Sequence, residues 1–461
     1  MSDKHLYFMG ICGTAMGSVA AAFRNAGYRV TGSDSHVYDP MKSFLENQGI
    51  EILDGYKAEN LPEDVDYFVI GNAQSRGNPE VEAVLDAKRH FVSMPELLKE
   101  CVLRGRRNLV VTGTHGKTTT SSLLTWILEA SGKNPNFVIG GLPGNLKQGA
   151  RFTESEFCVL EGDEYDTAFF DKRSKFVHYL PEVAIINNIE FDHADIFDDL
   201  AAVKRTFGHM IRTVPSNGIV LLNGDDQNCL DVFEAEGHSP SKRVGFCEEC
   251  DARITDVVYE SETTTFTIEG ETYTIPLNGE FNVRNASMAI TASRFVGLDP
   301  ETIREALLQF EGIKRRQEVR GVTDRNITVI DDFGHHPTAI KQAIAALRNK
   351  YGEARMWALF EPRSNTTRRN IFQDELPDAL SQADAVCLSA VARADQLAED
   401  ERLDTDLVMK TIRDTGIPAY YEDDADAIVE RLKAEAQDGD VVVVFSNGGF
   451  GGIHDKLLTA L

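Results

Sequence analysis

The stretch VVTGTHGKTTTSSLLTWILEASG, Val110 to Gly132, decides the fold. A short apolar run ends at Thr112 in a glycine-rich turn. Lys117 and three threonines follow, and then apolar residues recur at helical spacing. This order predicts a strand, a phosphate-binding loop and a helix. Gly113 and Gly116 let backbone amides curl around phosphate oxygens with no side chain in the way. Lys117 is placed to reach the β- and γ-phosphates, and the Thr118 hydroxyl to ligate Mg²⁺. The common GxxxxGK[ST] spacing asks for glycine at position 111, where Val111 stands, so the loop is a shorter GTxGK[ST] variant.

Working outward, 461 residues exceed one hydrophobic core, and about three domains are expected. A formal charge of −26 argues against nucleic-acid and anionic-membrane partners, which demand basic surfaces. It leaves room for anions bound locally by loop amides. No apolar run is long enough to span a bilayer. The chain opens into a strand with no charged leader and apolar core, so a cytoplasmic location is expected. Seven dispersed cysteines suit a reducing compartment. Cys247 and Cys250 form one CxxC. A zinc site would need a second ligand pair, and only His238 is near in sequence, so a surface turn is the favoured reading.

Three α/β segments follow from the alternation of apolar strands and helical patterns. Residues 1–107 begin with a βαβ pattern, 108–315 carry the phosphate loop, and 316–461 return to strand–helix alternation. Thr- and Tyr-rich alternation between about 243 and 277 predicts a small antiparallel insertion in the middle segment. The expected class is therefore α/β, with two Rossmann-like outer domains and a central P-loop ATPase domain.

Other turns carry candidate chemistry. GICGTAMG, Gly10 to Gly17, is a weak dinucleotide signal, because Cys12 replaces the middle glycine of GxGxxG. It still presents a helix start to a pyrophosphate, with Gly13, Thr14 and Met16 in the turn and Ser33 and Asp34 ending the next strand. VLEGDEYD carries Glu161, Asp163, Glu164 and Asp166. NNIEFDHADIFDD carries Glu190, Asp192, His193 and Asp195. Both follow apolar runs, so both are expected at strand carboxyl ends, where open α/β sheets bind ligands. Glu161 and His193 are the candidates to join Thr118 around Mg²⁺.

The motifs GTHGKTTT, EGDEYD, the DH pair after a strand, GEFNVRNASMAI, KRRQE and DDFGHHPTAI resemble those of the Mur ligases, in order and from end to end. These are the ATP-dependent amide-forming enzymes of bacterial cell-wall synthesis. The opening GICGTAMG, GSD and DDFGHHP are similar to the branch that acts on UDP-N-acetylmuramate. EPRSNT and FSNGGFGGIH are similar to the members that attach a recycled tripeptide, L-alanyl-γ-D-glutamyl-meso-diaminopimelate, to its lactyl carboxylate. The resemblance implies catalytic roles for Lys117, Glu161, His193 and Arg316. It implies ATP contacts from Gly113, Thr114, His115, Gly116, Lys117, Thr118, Thr119, Asn282, Asn285, Arg316, Asp332 and His336. It implies a UDP-sugar site at Gly10, Cys12, Gly13, Thr14, Met16, Gly17, Ser33, Asp34 and Asn72. Arg363, Ser364 and Asn365 are the candidates for the incoming peptide. Several Mur ligases carry a carbamylated lysine on the helix after DH; Phe207 and Gly208 stand at that place here and Lys204 lies earlier, so none is expected. A monomer or weak homo-oligomer is expected, with a hinge near 312–320. The rival readings are the free L-alanine ligase of the same branch, a folylpolyglutamate synthetase, and a non-catalytic nucleotide sensor.

Overall fold

The computed structural model describes residues 4–461. Three large sheets follow one another along the chain, and a two-stranded antiparallel ribbon, Asp166–Ala168 with Asp171–Ser174, stands apart from them. The first is wholly parallel, in the order Glu51–Asp54, Arg29–Asp34, His5–Met9, Tyr67–Ile70 and Phe91–Ser93. The second runs Glu271–Ile275, Thr264–Ile268, Ala252–Tyr259, Ser241–Gly245, Ile219–Asn223, Val183–Ile186, Arg107–Thr112, Phe157–Glu161, Asn136–Val138 and Ala150–Arg151. The third runs Glu318–Val322, Thr328–Asp332, Val441–Phe445, Met356–Phe360, Ala385–Ser389 and Ala419–Glu422, parallel except at its first strand.

The antiparallel strands expected near 243–277 are the hairpin Thr264–Ile268 and Glu271–Ile275, which pairs onto Ala252–Tyr259. The two strands before it run parallel to the rest. The hairpin therefore prolongs the edge of the central sheet.

A parallel sheet is covered on both faces, so its strands must be apolar throughout. Val441–Phe445 and Met356–Phe360 are buried at every position. Leu109 and Val111 pack with Leu123, Leu124 and Ile127 of the helix Lys117–Ala130, while Val110 faces the opposite layer. Alternation across the pleat thus fixes which side the phosphate-loop helix covers.

This topology positions the site. Arg107–Thr112 lies between Phe157–Glu161 and Val183–Ile186, all parallel. The loops 113–116, 162–165 and 187–193 consequently leave the sheet side by side. In the third sheet, the loops after residues 332, 360, 389 and 445 leave one rim together.

The three units are joined unequally. One apolar cluster runs from the first sheet into the second, and the rings of Phe23 and Phe152 stand 4.7 Å apart across that boundary. The apolar clusters of the third sheet hold, among the described residues, nothing from the first two. Its approach segment carries Gly312, Arg315 and Gln317 at φ of 75°, 62° and 51°. Units that meet through polar contacts are free to move relative to one another.

Phe176 is fully buried beneath the 162–165 loop, with its ring 5.4 Å from that of Phe207. Phe176→Ala is expected to cost the middle domain about 3–5 kcal/mol, read as a lowered urea midpoint.

Candidate active site

The helices Lys117–Ala130 and Thr14–Asn25 start without a side-chain cap. Elsewhere Asp199, Asp226, Asp299, Asp404 and Asp424 cap the helices they precede. Free N–H groups at a helix start are ready anion donors. Gly113 and Gly116 have φ of 126° and 79°, and a Cβ on Gly116 would overlap Asn285 Oδ1. The loop is pinned from the neighbouring strand. His115 N donates to Asn188 Oδ1 at 2.7 Å, and Thr114 N to the Asn188 carbonyl at 3.1 Å.

Lys117 Nζ donates to the Gly113 carbonyl at 2.6 Å and to both oxygens of Glu164, at 2.8 and 3.0 Å. The Glu164 carboxylate also meets His193 Nε2 at 3.0 Å. Burial pushes the Glu164 carboxyl up, but Lys117 and His193 hold it below its ordinary value. Burial alone would lower Lys117 and His193; Glu164 holds both above their ordinary values. Glu164 was one acid among several in VLEGDEYD. Only the register of three adjacent strands singles it out.

Thr118 Oγ1 donates to Glu161 Oε1 at 2.9 Å, and Gly140 N to Glu161 Oε2 at 2.6 Å. Arg316 reaches in from the third unit, with Nη2 3.3 Å from Thr118 Oγ1 and its guanidinium 4.8 Å from the Phe333 ring centroid. Burial lowers the Arg316 pKa, against Asp332 and Glu161. Asp332 accepts from the amides of Gly334 at 2.7 Å and Gln317 at 3.0 Å, and burial pushes its carboxyl up. Of the expected metal ligands, Thr118 and Glu161 stand together, while His193 is turned toward Glu164. Adjacent hydroxyl and carboxylate oxygens are the donor type Mg²⁺ takes.

Asn285 abuts Gly116, and its Nδ2 lies 3.5 Å from Asn282 Oδ1. Thr119 is buried in the first helical turn. His336 caps the helix Pro337–Tyr351, its Nδ1 accepting from Thr338 N at 3.2 Å. Its ring stands 4.5 Å from that of His115, and both face Glu190 Oε2, at 3.5 and 3.3 Å. The phosphate loop and the third unit therefore share one carboxylate.

In the first unit, the Gly10 amide donates to the Ser33 carbonyl at 2.8 Å, and Gly10 has φ of 82°. Asp34 accepts from the amides of Cys12 at 2.9 Å and His36 at 3.1 Å. Gly13 and Thr14 are exposed at the open helix start. Met16 and Gly17 are buried, Gly17 against Met41 and Ile11. The Ser33 hydroxyl is spent on buried Glu80, and Asn72 is exposed on the loop after Tyr67–Ile70.

A cavity of about 340 Å³ opens between the second and third units. Tyr165, Asp192 and His193 form one wall; Arg363, Ser364, Asn365, Arg393 and Asn447 form the other. Thr366 Oγ1 donates to Asp192 at 2.7 Å, and Asn365 Nδ2 to Asp195 at 2.8 Å. Arg363 lies on Gly448, where a Cβ would overlap its guanidinium stem, and Arg315 Nη2 holds the same loop through the Ser446 and Gly448 carbonyls, both at 2.7 Å. The glycines of FSNGGFGG thus make room for the arginine of EPRSNT. Arg393 and Asn447 were not among the expected contacts; Asn447 stands within FSNGGFGGIH, and the one signal for Arg393 was a position just past an apolar strand. Lys204 pairs with Asp231 at 3.0 Å, away from this rim, and Phe207 is core. Cys247 and Cys250 gather around Asp225, whose oxygens already take two amides and Arg284.

Three profiles match in order: the Mur ligase family catalytic domain over residues 5–106, the Mur ligase middle domain over 111–293, and the Mur ligase glutamate ligase domain over 315–448. The chain belongs to the Mur ligase family. A relative from Escherichia coli (strain K12), UDP-N-acetylmuramate–L-alanyl-γ-D-glutamyl-meso-2,6-diaminoheptanedioate ligase, is 45% identical over 99% of this chain and 98% of its own. A UDP-N-acetylmuramate–L-alanine ligase from Clostridium novyi (strain NT) is 30% identical over 100% of this chain and 98% of its own. The crystal structure of a murein peptide ligase from Psychrobacter arcticus 273-4 matches with a TM-score of 0.73 at 36% identity, covering 99% of this chain and 98% of that one. No helix among the described residues is long and apolar enough to cross a membrane.

In this Mur ligase, burial and the neighbouring His115 hold His336 below its ordinary value of 6.5. As pH falls below that value, the unfolded chain binds a proton the folded chain refuses, so stability declines with acidification. His336→Gln is expected to flatten the acid slope of the melting temperature below about pH 6.5 relative to the parent.

Proposed function

We propose that this Mur ligase joins L-alanyl-γ-D-glutamyl-meso-diaminopimelate, through its alanyl amine, to the lactyl carboxylate of UDP-N-acetylmuramate. ATP is the co-substrate, and ADP and phosphate are released, in the recycling of cell-wall peptide. One observation carries the choice of substrate: 45% identity along the whole chain to a ligase of that tripeptide, against 30% to the L-alanine ligase.

The chemistry follows from the arrangement. A carboxylate does not react with an amine at neutral pH, because hydroxide is too poor a leaving group. The lactyl carboxylate therefore attacks the γ-phosphorus of ATP, giving an acyl phosphate and ADP. Lys117, the amides of 113–119 and Arg316 hold the phosphates and the charge that develops on them. Thr118 and Glu161 would hold Mg²⁺, with His193 nearby; the ion supplies charge neutralisation at the phosphate oxygens. The peptide amine, in the cavity beside Asp192 and His193, then attacks the acyl carbon, and phosphate leaves. His193, held by Glu164, is placed to take the amine's proton.

The remaining assignments belong to the same reading. Asn282, Asn285, Asp332, His115 and His336 line the nucleotide, while the open helix start at Gly13 and Thr14 takes the UDP pyrophosphate. Arg363, Ser364 and Asn365 meet the peptide. The three working units are 1–107, 108–315 and 316–461, closing by rotation near 312–320 so that water is kept from the acyl phosphate. Seven free cysteines fit a cytoplasmic setting.

Incubation with ATP, Mg²⁺ and UDP-N-acetylmuramate, with tripeptide or free L-alanine in parallel tubes, tests the reading. The expected result is ADP release and a UDP-muramoyl-tripeptide mass with the tripeptide alone. Product from L-alanine at a comparable rate would overturn it. Lys117→Ala is expected to lower kcat by about 10²–10³-fold, and to lower the melting temperature as well, because buried Glu164 keeps only His193 as a cationic partner.

A further inference from the structure

The cavity between the second and third units has two electrically opposite walls. Asp192, Asp195 and His193 lie on one side, and Arg363 and Arg393 on the other. Arg363 already pairs with Glu361 at 3.3 Å. Arg393 lines the cavity and makes no ion pair among the described residues. Its backbone sits at φ of 53°, a conformation that needs outside support in a residue with a side chain.

That support comes from Arg368. It is 5% exposed, yet its guanidinium faces carbonyls and amides in place of a carboxylate. It donates to the carbonyls of Ala392 at 3.5 Å and Arg393 at 3.3 Å, to Gln396 Oε1 at 3.4 Å and to Asn365 Oδ1 at 2.9 Å. Its Nε has no partner. A buried cation without an acid is expensive to keep unless its position serves something. Here it ties the Arg393 loop to Asn365 on the same wall of the cavity.

We infer that Arg393, positioned by Arg368, is a specificity residue that binds a carboxylate of the incoming peptide beyond its first residue. The inference rests on the function proposed above and deepens it. The γ-linked glutamyl residue keeps its α-carboxylate, and diaminopimelate brings two more. Free alanine has one carboxylate, adjacent to its amine. With the amine on the Asp192–His193 side, only a longer peptide carries negative charge across to the arginine wall. A guanidinium fork there favours the tripeptide over a single amino acid. Arg393 is exposed, so its replacement leaves the core untouched.

Steady-state kinetics on the parent, Arg393→Gln and Arg393→Lys tests this, with the tripeptide and with two amidated forms, one blocked on the glutamyl α-carboxylate and one on the diaminopimelate carboxylates. Arg393→Gln is expected to raise the tripeptide KM about 10- to 100-fold, with KM for ATP and UDP-N-acetylmuramate unchanged. Arg393→Lys recovers part of the loss. One amidated form behaves like the variant on the parent enzyme and shows no further loss on Arg393→Gln, which identifies the carboxylate. An unchanged tripeptide KM in Arg393→Gln, with the parent making product, overturns the inference and leaves the proposed function standing. A parent that makes no tripeptide product overturns both.

Discussion

Everything at the centre of this molecule turns on a buried ion pair. Lys117 and Glu164 lie within 2.8 Å of each other, with 14% and 3% of their side chains exposed. Removing one partner of such a pair leaves an uncompensated buried charge, typically at a cost of about 3–5 kcal/mol. The pair joins the loop after one strand to the loop after the next, and His193 extends it to a third. In the proposed function a triphosphate brings its own negative charge to the loop and competes with Glu164 for the lysine. The carboxylate so released still faces His193. In the proposed reaction, nucleotide binding is thereby coupled, through one carboxylate, to the basicity of His193.

The third unit is held to this centre by polar contacts: Glu190 with His336, Asp192 with Thr366, Asp195 with Asn365, and Arg316 with Thr118. None of these resembles the apolar seam between the first two units. Such an interface opens at little cost, and opening is required if ADP and a large product are to leave. The acids of NNIEFDHAD thus have a second use beyond any metal. They are also the points at which the third unit meets the second.

Much of this was readable before any coordinates. The strand, loop and helix at 107–130 followed from apolar periodicity and two glycines. The expected rim of acids followed from their place after apolar runs. What sequence could not supply was partnership. Glu161, Asp163 and Glu164 sit within four positions, and only strand register decides that Glu161 meets Thr118 while Glu164 meets Lys117. His193 was expected on the metal, and it lies on Glu164. The antiparallel stretch near 243–277 was legible as alternation, but its union with the central sheet depends on parallel pairing of residues 241–245, which carries no local signal. Arg393 lay in an unremarkable loop, and its place on the cavity comes from the sheet order, in which the strand ending at 360 lies between those ending at 389 and 445.

A chain of net charge −26 that handles a triphosphate, a nucleotide sugar and a peptide rich in carboxylates appears mismatched to its ligands. The resolution is local. Long-range repulsion is screened within about a Debye length, roughly 8 Å at physiological salt, so the surface acids act weakly at the rims. Inside those rims the donors are helix amides left uncapped, a lysine paired with Glu164, and arginines facing open cavity. Each acid that would oppose a ligand is tied to a cation or an amide: Glu164 to Lys117, Asp163 to Lys175, Asp332 to Gly334 and Gln317, Asp34 to Cys12. Acidity at the surface and anion capture at the sites therefore coexist, because the field a ligand meets is set by the nearest few groups and not by the total.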